Sequence, residues 1–441
     1  MLLALAFMPE TVAVDDLPNW RECRDCGLLQ RLPQVPDGEA AICARCAAML
    51  RRVATHGLLF GRVNAVAAAV LFVLALALPL GELHVLGRSD VTWVLSGPGM
   101  LRRDGLAILA VVVILTLVVM PAAKLLVTLT VLFGLRAARP HRWLAWLFGW
   151  LDLISPWAML EVFLLGAVVA YSRLHAMAIV EVGLAALALG GAMVAMVATD
   201  ATLDVEAIWQ RLHGEPVAAS LAGRSASAKL IGCTVCRLLA HADEGDRCPR
   251  CRHRLSSRKG HMGHAWALLL ASACLYIPAN VLPVMTVKRM GKGLPTTIAH
   301  GVIELAQAHL WPLALLVVTA SIIIPLFKLL SLTVLLVMTR RRSSSRLLAR
   351  TRLFRFVKFV GRWSMIDIFM LSVLVGVVRF GAISTVRPGM GAMAFCAVVL
   401  LTMGVTELFD PRLMWDAAGR DEQGVETPSA HPGRELSGAQ V

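Results

Sequence analysis

Charged side chains are scarce in this chain: Asp, Glu, Lys and Arg together form 16% of its 441 residues, whereas hydrophobic residues form 58%. In a typical soluble globular protein about 25% of the residues are charged. So little charge on so long a chain excludes a soluble globular protein. The composition instead predicts a protein that crosses a membrane several times.

Acidic residues are especially few, with 29 Asp and Glu against 43 Lys and Arg, so that the formal net charge is +14. In a soluble chain this surplus would indicate binding to nucleic acid. Here the basic residues concentrate between apolar runs, as the positive-inside rule expects of cytoplasmic loops. We therefore interpret the charge as a determinant of membrane topology and expect no nucleic-acid partner.

Sequence patterns of common catalytic sites are missing too. The chain has no Gly-x-x-x-x-Gly-Lys-Ser/Thr phosphate loop, no Gly-x-Ser-x-Gly nucleophile elbow and no His-Glu-x-x-His zinc motif. An enzyme is therefore not expected, and no catalytic residue is assigned. Any uphill work would draw on a partner or on an ion gradient.

Eight of the ten cysteines form four Cys-x-x-Cys pairs, which fall into two sets of four. We call them knuckle 1 (Cys23, Cys26, Cys43, Cys46) and knuckle 2 (Cys233, Cys236, Cys248, Cys251). Four thiolates in two tight turns match tetrahedral Zn²⁺ and leave no open position for water. We predict two structural zinc sites in a reducing compartment, with rubredoxin-like iron and dithiol redox chemistry as alternatives.

Eight apolar runs are predicted to cross the membrane, which takes about 20 residues in a helix. They cover residues 58–80, 106–135, 157–171, 177–198, 265–282, 311–338, 363–380 and 390–409. Basic loops alternate with outer loops, so the charge rule places both knuckles and both termini in the cytoplasm. The outer loops 81–104 and 284–310 are the expected docking surfaces for a partner.

The chain accordingly divides into five predicted parts. These are a zinc-ribbon-like domain (1–56), a four-span module (57–212), a second zinc-ribbon-like domain (213–260), a second four-span module (261–415) and a disordered tail (416–441). The predicted fold class is an all-α polytopic membrane protein with two four-helix modules, each preceded by a small cytoplasmic zinc-ribbon-like domain.

The second half of the chain repeats the first at the level of single residues. The matching motifs are Met120-Pro121-x-x-Lys124 with Ile324-Pro325-x-x-Lys328, Trp157-x-Met159-x-Glu161 with Trp363-x-Met365-x-Asp367, and Asp204 and Trp209 with Asp410 and Trp415. The same order in both halves indicates a duplication. Because each unit has an even number of spans, the two modules share one orientation and form a parallel repeat.

Two lysines lie deep inside predicted spans. Lys124 and Lys328 precede a basic loop by about 12 residues, which corresponds to roughly 18 Å of helix. A charged lysine at that depth costs several kcal/mol unless it is paired or hydrated. We predict the ion pairs Lys124 with Glu161 and Lys328 with Asp367. Pro121 and Pro325 each remove a backbone hydrogen bond near the lysine and predict a helix kink.

The second half carries additional hydroxyl groups around its lysine. Ser321, Ser364 and Thr402 fall in its spans, whereas the first half has Leu117 and Ala158 at the positions of the two serines. We therefore predict a working polar network of Ser321, Lys328, Ser364, Asp367 and Thr402 in the second module. The alternative is a buried ion pair that only fixes helix packing.

Taken together, these features resemble the paraquat-inducible protein A family, including its LetA (formerly YebS) branch. The resemblance rests on the two knuckles, the Pro-x-x-Lys repeat, the Trp-Ser-Met-Ile-Asp-Ile-Phe stretch at residues 363–369 and Phe-Asp-Pro-Arg at 409–412. It implies an inner-membrane protein of Gram-negative bacteria that works with a periplasmic MCE-domain tunnel protein.

The resemblance further implies phospholipid exchange with that tunnel in support of outer-membrane integrity. We add the hypothesis that the Lys328/Asp367 network changes protonation during transport. A protein of another class, a metal- or redox-sensing membrane scaffold, is the alternative that the cysteines leave open.

Overall fold

The computed structural model describes most of the chain. The described residues are 20–33, 35–53, 57–85, 88–137, 140–175, 179–213, 230–241, 245–256, 258, 262–289, 292–307, 309, 311–377 and 384–422. The predicted tail falls only partly within them. A helix runs over Arg412–Glu422, so ordered structure continues beyond residue 415, where we placed the start of a disordered tail. Residues 423–441 lie outside the described residues.

Within the described residues, eight helical stretches are long and apolar enough to cross a membrane, in agreement with the predicted number. Numbered as spans 1 to 8, they are Gly57–Ala77, Ala107–Gly134, Arg142–Ser172, Leu184–Thr202, Met262–Val281, Trp311–Arg340, Leu347–Val377 and Met390–Leu408. Spans 3 and 7 begin earlier than predicted, because the helices Arg142–Gly149 and Leu347–Gly361 lead directly into them.

Several spans are built from consecutive helical pieces. Span 2 contains Ala107–Ile114, Leu115–Val119 and Met120–Gly134; span 3 contains Arg142–Gly149, Leu151–Ile154, Ser155–Trp157 and Leu160–His175. Span 6 contains Trp311–Val318, Thr319–Ile323 and Ile324–Arg340; span 7 contains Leu347–Gly361, Arg362–Met365 and Ile366–Val377. The described helices outside the spans are Ser96–Arg103, Val205–His213, Ile298–Gln307 and Arg412–Glu422.

The helix interruptions repeat in the two modules. Leu115–Val119 and Thr319–Ile323 are π-helical and end just before the Met-Pro and Ile-Pro pairs that contain Pro121 and Pro325. A π segment absorbs an extra residue and commonly marks a functional or irregular site in a helix. The structure thus places an irregularity where the two prolines predict one; the kink itself stays a prediction.

Short antiparallel sheets cap both modules at the end opposite the knuckles. Strands β5 (Gly81–Val85), β6 (Arg88–Thr92) and β7 (Ile179–Val182) form one sheet in the order β6-β5-β7. Strands β10 (Met285–Arg289), β11 (Lys292–Thr296) and β12 (Ser384–Pro388) form the other, in the order β11-β10-β12. Each sheet joins two outer loops, and span 4 begins at Leu184 rather than 177 because residues 179–182 are a strand.

The knuckles contribute the remaining strands, all in two-stranded hairpins. Knuckle 1 contains β1 (Trp20–Glu22) paired with β2 (Leu29–Arg31), and β3 (Ala40–Ile42) paired with β4 (Met49–Arg52). Knuckle 2 contains β8 (Leu230–Gly232) paired with β9 (Leu239–His241). The prediction of an all-α protein therefore holds for the membrane-spanning part, while the knuckles and outer loops contain β-structure.

The two modules meet along spans 3 and 7. The rings of Phe163 and Phe369 pack edge to face with centroids 5.7 Å apart, and both side chains are fully buried. Gly166 permits this approach, since a Cβ at that position would lie 3.0 Å from Phe369 Cβ and 3.1 Å from backbone atoms of span 7. The largest hydrophobic cluster extends through this interface.

Each knuckle also packs against the module that does not directly follow it in the chain. The cysteines of knuckle 2 share a buried cluster with Phe148 and Trp209 of the first module. The cysteines of knuckle 1 pack against Trp415, from the final helix of the second module. Sequence order alone suggests that each knuckle packs on the module that follows it. The tertiary structure adds a contact between each knuckle and the other module.

Candidate functional site

The eight cysteines form two tetrads that could each hold a metal ion. Within each tetrad all four sulfurs lie within 4.8 Å of one another, and every cysteine is buried. The closest sulfur pairs, Cys23 with Cys46, Cys233 with Cys251 and Cys236 with Cys248, are each 3.5 Å apart. A tetrahedral ion with metal–sulfur bonds of about 2.3 Å requires separations of about 3.8 Å. The donor set and its spacing fit such an ion.

The local backbone explains how the four Cys-x-x-Cys turns bring the sulfurs together. The residue after each second cysteine has a positive φ: Gly27 (71°), Ala47 (55°), Arg237 (60°) and Arg252 (60°). Non-glycine residues pay of order 1 kcal/mol or more for this conformation. Burial also raises the pKa of Cys236 well above its usual value, so a thiolate there needs a compensating cation. A bound metal would supply both the charge and the constraint.

Knuckle 1 is connected to span 7 by a charged side chain. The Arg355 guanidinium donates to Asp25 at 2.5 Å and to the Cys46 sulfur at 3.1 Å. This contact places a cation beside one tetrad and joins it to the helix that leads to Asp367. Sequence reasoning missed it, because Arg355 is one of many basic residues in that loop and helix.

Two partly buried carboxylates hold the knuckles to the modules. Glu206 accepts from Arg21 of knuckle 1 at 2.8 Å and from Arg250 of knuckle 2 at 2.9 Å. Burial alone would raise the pKa of Glu206, but the two guanidinium groups outweigh it and lower the pKa below its ordinary value. Glu22 similarly accepts from Arg258 and from Arg412, each at 3.0 Å. The knuckles and the inner ends of both modules thus form one charged junction.

A cavity of about 530 Å³ lies at this junction, between the knuckles and the inner ends of the spans. Its charged lining comprises eight cations (Arg24, Lys124, Arg237, Lys328, Arg355, Lys358, Arg362, Arg412) and five carboxylates (Glu22, Asp25, Asp200, Glu407, Asp410). Both intramembrane lysines therefore face one shared space, although they belong to different modules.

Lys124 pairs with a carboxylate other than the predicted one. Its Nζ lies 2.6 Å from Asp200 Oδ2, near the end of span 4. Glu161 instead contacts Arg362 of the second module at 3.3 Å. The prediction of a Lys124–Glu161 pair was wrong because span 3 packs against span 7, which brings Glu161 to the module interface. Asp200 could have been found as the only charged residue in Leu184–Thr202.

Lys328 also differs from the prediction. The residue is 2% exposed, and among the described residues its Nζ has neither a hydrogen-bond nor an ion-pair partner. The predicted Lys328–Asp367 ion pair is therefore absent. The lysine's end lies instead against Gly361, where a Cβ would meet Nζ at 2.9 Å. Gly361 precedes the break in span 7, and Asp367 follows it in the helix Ile366–Val377.

The hydroxyl groups of the predicted network are buried without joining Lys328. The Ser321 and Ser364 hydroxyls have no hydrogen-bond partner in the part of the chain that the structure describes. Thr402 donates to the Val399 carbonyl at 2.9 Å, within its own helix. Of the five predicted residues only Lys328 lines the cavity. Their joint role in transport stays a prediction.

Comparison with known proteins gives matches over nearly the whole chain. The sequence model of a family described as "Paraquat-inducible protein A" matches residues 63–213 and, a second time, 262–419. The two matches coincide with the two modules and support the predicted duplication. No solved structure matches the chain.

Three relatives show the extent of the similarity. "Intermembrane transport protein PqiA" of Escherichia coli K12 is 32% identical over 411 residues, covering 91% of this chain and 96% of the relative. "Lipophilic envelope-spanning tunnel protein A" of the same strain is 29% identical over 408 residues, covering 91% and 93%. "Probable intermembrane transport protein" of Haemophilus influenzae is 27% identical over 422 residues, covering 94% and 100%. This chain belongs to the paraquat-inducible protein A family.

Proposed function

We propose that this protein is the inner-membrane component of an envelope lipid transport system. It exchanges phospholipid with a periplasmic MCE-domain tunnel protein and thereby supports the integrity of the outer membrane. The observation that carries the proposal is the full-length similarity to relatives named for intermembrane transport and for a lipophilic envelope-spanning tunnel. The eight spans supply the membrane location. The role is transport rather than catalysis.

The second module is the part of the molecule to which we assign the lipid pathway. Its supporting features are the buried hydroxyls of Ser321 and Ser364, and Lys328, which has no described hydrogen-bond partner and lies against Gly361 at the start of the break in span 7. Polar groups inside a bilayer are costly and are usually retained for function. We retain the hypothesis that Lys328 and Asp367 change protonation during transport, now as separate groups on one path rather than as an ion pair.

Orientation follows from the same proposal. With the knuckles in the cytoplasm, the Arg-rich stretch between spans 6 and 7 obeys the positive-inside rule. The sheets formed by β5, β6, β7 and by β10, β11, β12 then face the periplasm. We propose that these two sheets dock the tunnel protein, because they give the outer loops a defined surface.

Photo-crosslinking in cells tests the lipid pathway. A photoreactive residue at Ser364 should capture radiolabelled phospholipid, and Lys328→Ala should change the yield. The matched control is the same residue at Ala158, the equivalent position in the first module, where no lipid adduct is expected. Adducts of equal yield at both positions, or none at Ser364, would count against a pathway through the second module.

We further propose that both tetrads hold structural Zn²⁺, in accordance with four buried thiolates and no open ligand position. Metal analysis of the purified protein should give two zinc ions per chain that resist reductants and mild oxidants. Iron, or reversible disulfide formation within a tetrad, would instead favour the metal- or redox-sensing scaffold.

A further inference from the structure

The two intramembrane lysines occupy equivalent positions but have different surroundings. In the first module Asp200 lies 2.6 Å from Lys124 and neutralises it. The repeat that aligns Asp204 with Asp410 places Thr406 at the position of Asp200. Thr406 Oγ1 donates to the Met403 carbonyl at 2.7 Å within its own helix. The second module therefore keeps the lysine and lacks the internal carboxylate.

The other carboxylates of the cavity are already paired. Asp25 is bound to Arg355 at 2.5 Å and Glu407 to Lys358 at 3.0 Å. Asp410 accepts from Arg412 at 2.8 Å, and Glu22 accepts from Arg412 and Arg258. Each of these carboxylates therefore has a cationic partner other than Lys328, and the residues that line the cavity include more cations than carboxylates.

A glycine makes room for the end of the lysine side chain. Gly361 lies directly beside the Lys328 amine, and any larger side chain there would displace it. Apolar side chains, among them Phe359 and Met403, line the same cavity as the cations. Phe359 is also 57% exposed, so the cavity wall continues to an apolar patch on the surface of the helix Leu347–Gly361.

We infer that this cavity binds a phosphate group, with the Lys328 ammonium as its innermost contact in the place where the first module has Asp200. A phosphate oxygen accepts charge-assisted hydrogen bonds from Lys and Arg. The adjoining apolar wall favours the phosphate of a phospholipid headgroup over free inorganic phosphate. The inference rests on the proposed function, to which it adds a headgroup site on the knuckle side of the membrane.

Ligand retention by the purified full-length protein tests the inference. Native mass spectrometry would compare phosphatidylglycerol with diacylglycerol of the same chains, which lacks the phosphate. Phosphatidylglycerol should bind at least about tenfold more tightly than diacylglycerol, a difference within the range expected of charge-assisted hydrogen bonds. Equal retention of the two lipids would overturn the phosphate site.

Substitutions at the repeat position give the sharper comparison. Thr406→Asp should supply Lys328 with the carboxylate that Lys124 already has and lower phosphatidylglycerol retention about tenfold, as should Lys328→Met. Thr406→Asn separates the effect of size from that of charge. Arg352→Met removes a positive charge from the same helix as Arg355 but outside the cavity, and it should leave retention unchanged. Wild-type retention in both Thr406→Asp and Lys328→Met would contradict the inference.

Competition between inorganic phosphate and phosphatidylglycerol shows whether the bound phosphate belongs to a lipid headgroup. If millimolar inorganic phosphate displaces phosphatidylglycerol, or alone binds in a Lys328-dependent manner, the ligand is free phosphate and the headgroup assignment is wrong. Lipid transfer to acceptor vesicles, measured in parallel, keeps the two proposals apart. Transfer that persists in variants without phosphate binding contradicts the headgroup site alone, whereas wild-type protein that binds but never transfers lipid contradicts the proposed function.

Discussion

Single residues decide how the molecule carries charge in its apolar part. Lys124 and Lys328 come from the same repeated motif, yet among the described residues only Lys124 has a carboxylate within ion-pair distance. The difference arises from one position, Asp200 in the first module and Thr406 in the second. A lysine enclosed by protein without a counter-ion is destabilising by several kcal/mol. The two lysine sites are therefore similar, and a single side chain decides whether the lysine has a neutralising partner.

The Lys124–Asp200 pair yields a prediction at this scale. Asp200→Asn leaves the buried Lys124 unpaired and should lower the thermal unfolding midpoint of the detergent-solubilised protein. Because Asp200 is 52% exposed, solvent screens the pair and the expected loss is modest, about 1 kcal/mol. Adding Lys124→Met removes the unpaired charge and should restore part of the loss. A double variant that is less stable than Asp200→Asn alone would contradict this account.

At the scale of elements, the contact between spans 3 and 7 depends on a glycine. Gly166→Ala would place a Cβ about 3 Å from span 7 backbone and should destabilise the module interface by about 1–3 kcal/mol. Gly190→Ala in span 4 is the matched control, since a Cβ there meets nothing within 4 Å. Unfolding midpoints measured in one detergent compare the two. Equal effects would show that Gly166 does not set the approach of the spans.

The attachment of the knuckles predicts a pH dependence. Arg21 and Arg250 lower the pKa of Glu206, so its ion pairs stabilise the folded state fully above the unfolded pKa of about 4.3. This stabilisation is lost as the pH falls through the lower folded pKa. The protection of the β1 and β8 backbone amides against hydrogen exchange, corrected for intrinsic rates, should therefore be the same at pH 7 and at pH 5.

Glu206→Gln is the corresponding variant. It removes the charge that both guanidinium groups share and should weaken protection of the two knuckles already at pH 7. Asp104→Asn, on the opposite side of the membrane, serves as a control for loss of one carboxylate. Protection in Glu206→Gln equal to that of the wild type would show that the ion pairs do not hold the knuckles.

At the scale of the whole molecule, the knuckles connect modules that sequence order keeps apart. If both tetrads hold zinc as proposed, its removal by a strong chelator should unfold them, because the buried thiolates would lose their counter-charge. The eight spans should remain helical, so the far-ultraviolet circular dichroism should change by only a few per cent. Protease sensitivity should rise at the knuckles. Cys274→Ser, outside both tetrads, should leave metal content unchanged.

The outcome that would contradict this description is a large loss of helix on chelation. In that case the knuckles would be needed for the fold of the spans as well as for the junction. The loss of the Arg355–Cys46 contact can be monitored by crosslinking between residues 25 and 355. If this contact is lost while the helix content is retained, the knuckles can detach from the spans without unfolding them.

The sequence by itself determined the features that depend on local composition and short spacing. Hydrophobic runs of about 20 residues predict the eight spans, Cys-x-x-Cys pairs predict the two tetrads, and repeated motifs predict the duplication. Each signal is contained in a short segment, so no knowledge of distant contacts is needed. The prolines likewise mark the positions where spans 2 and 6 become π-helical.

Only the tertiary structure decided which charged groups meet. Glu161 faces Arg362 of the other module, Lys124 faces Asp200, and Arg355 reaches Cys46 across more than 300 positions of sequence. The outer sheets also join loops from opposite ends of each module. Helical periodicity fixes which residues share a face of one span, but the rotation of each span and its neighbours are set by packing among all eight. For that reason the lysines could be found from sequence, whereas their partners could not.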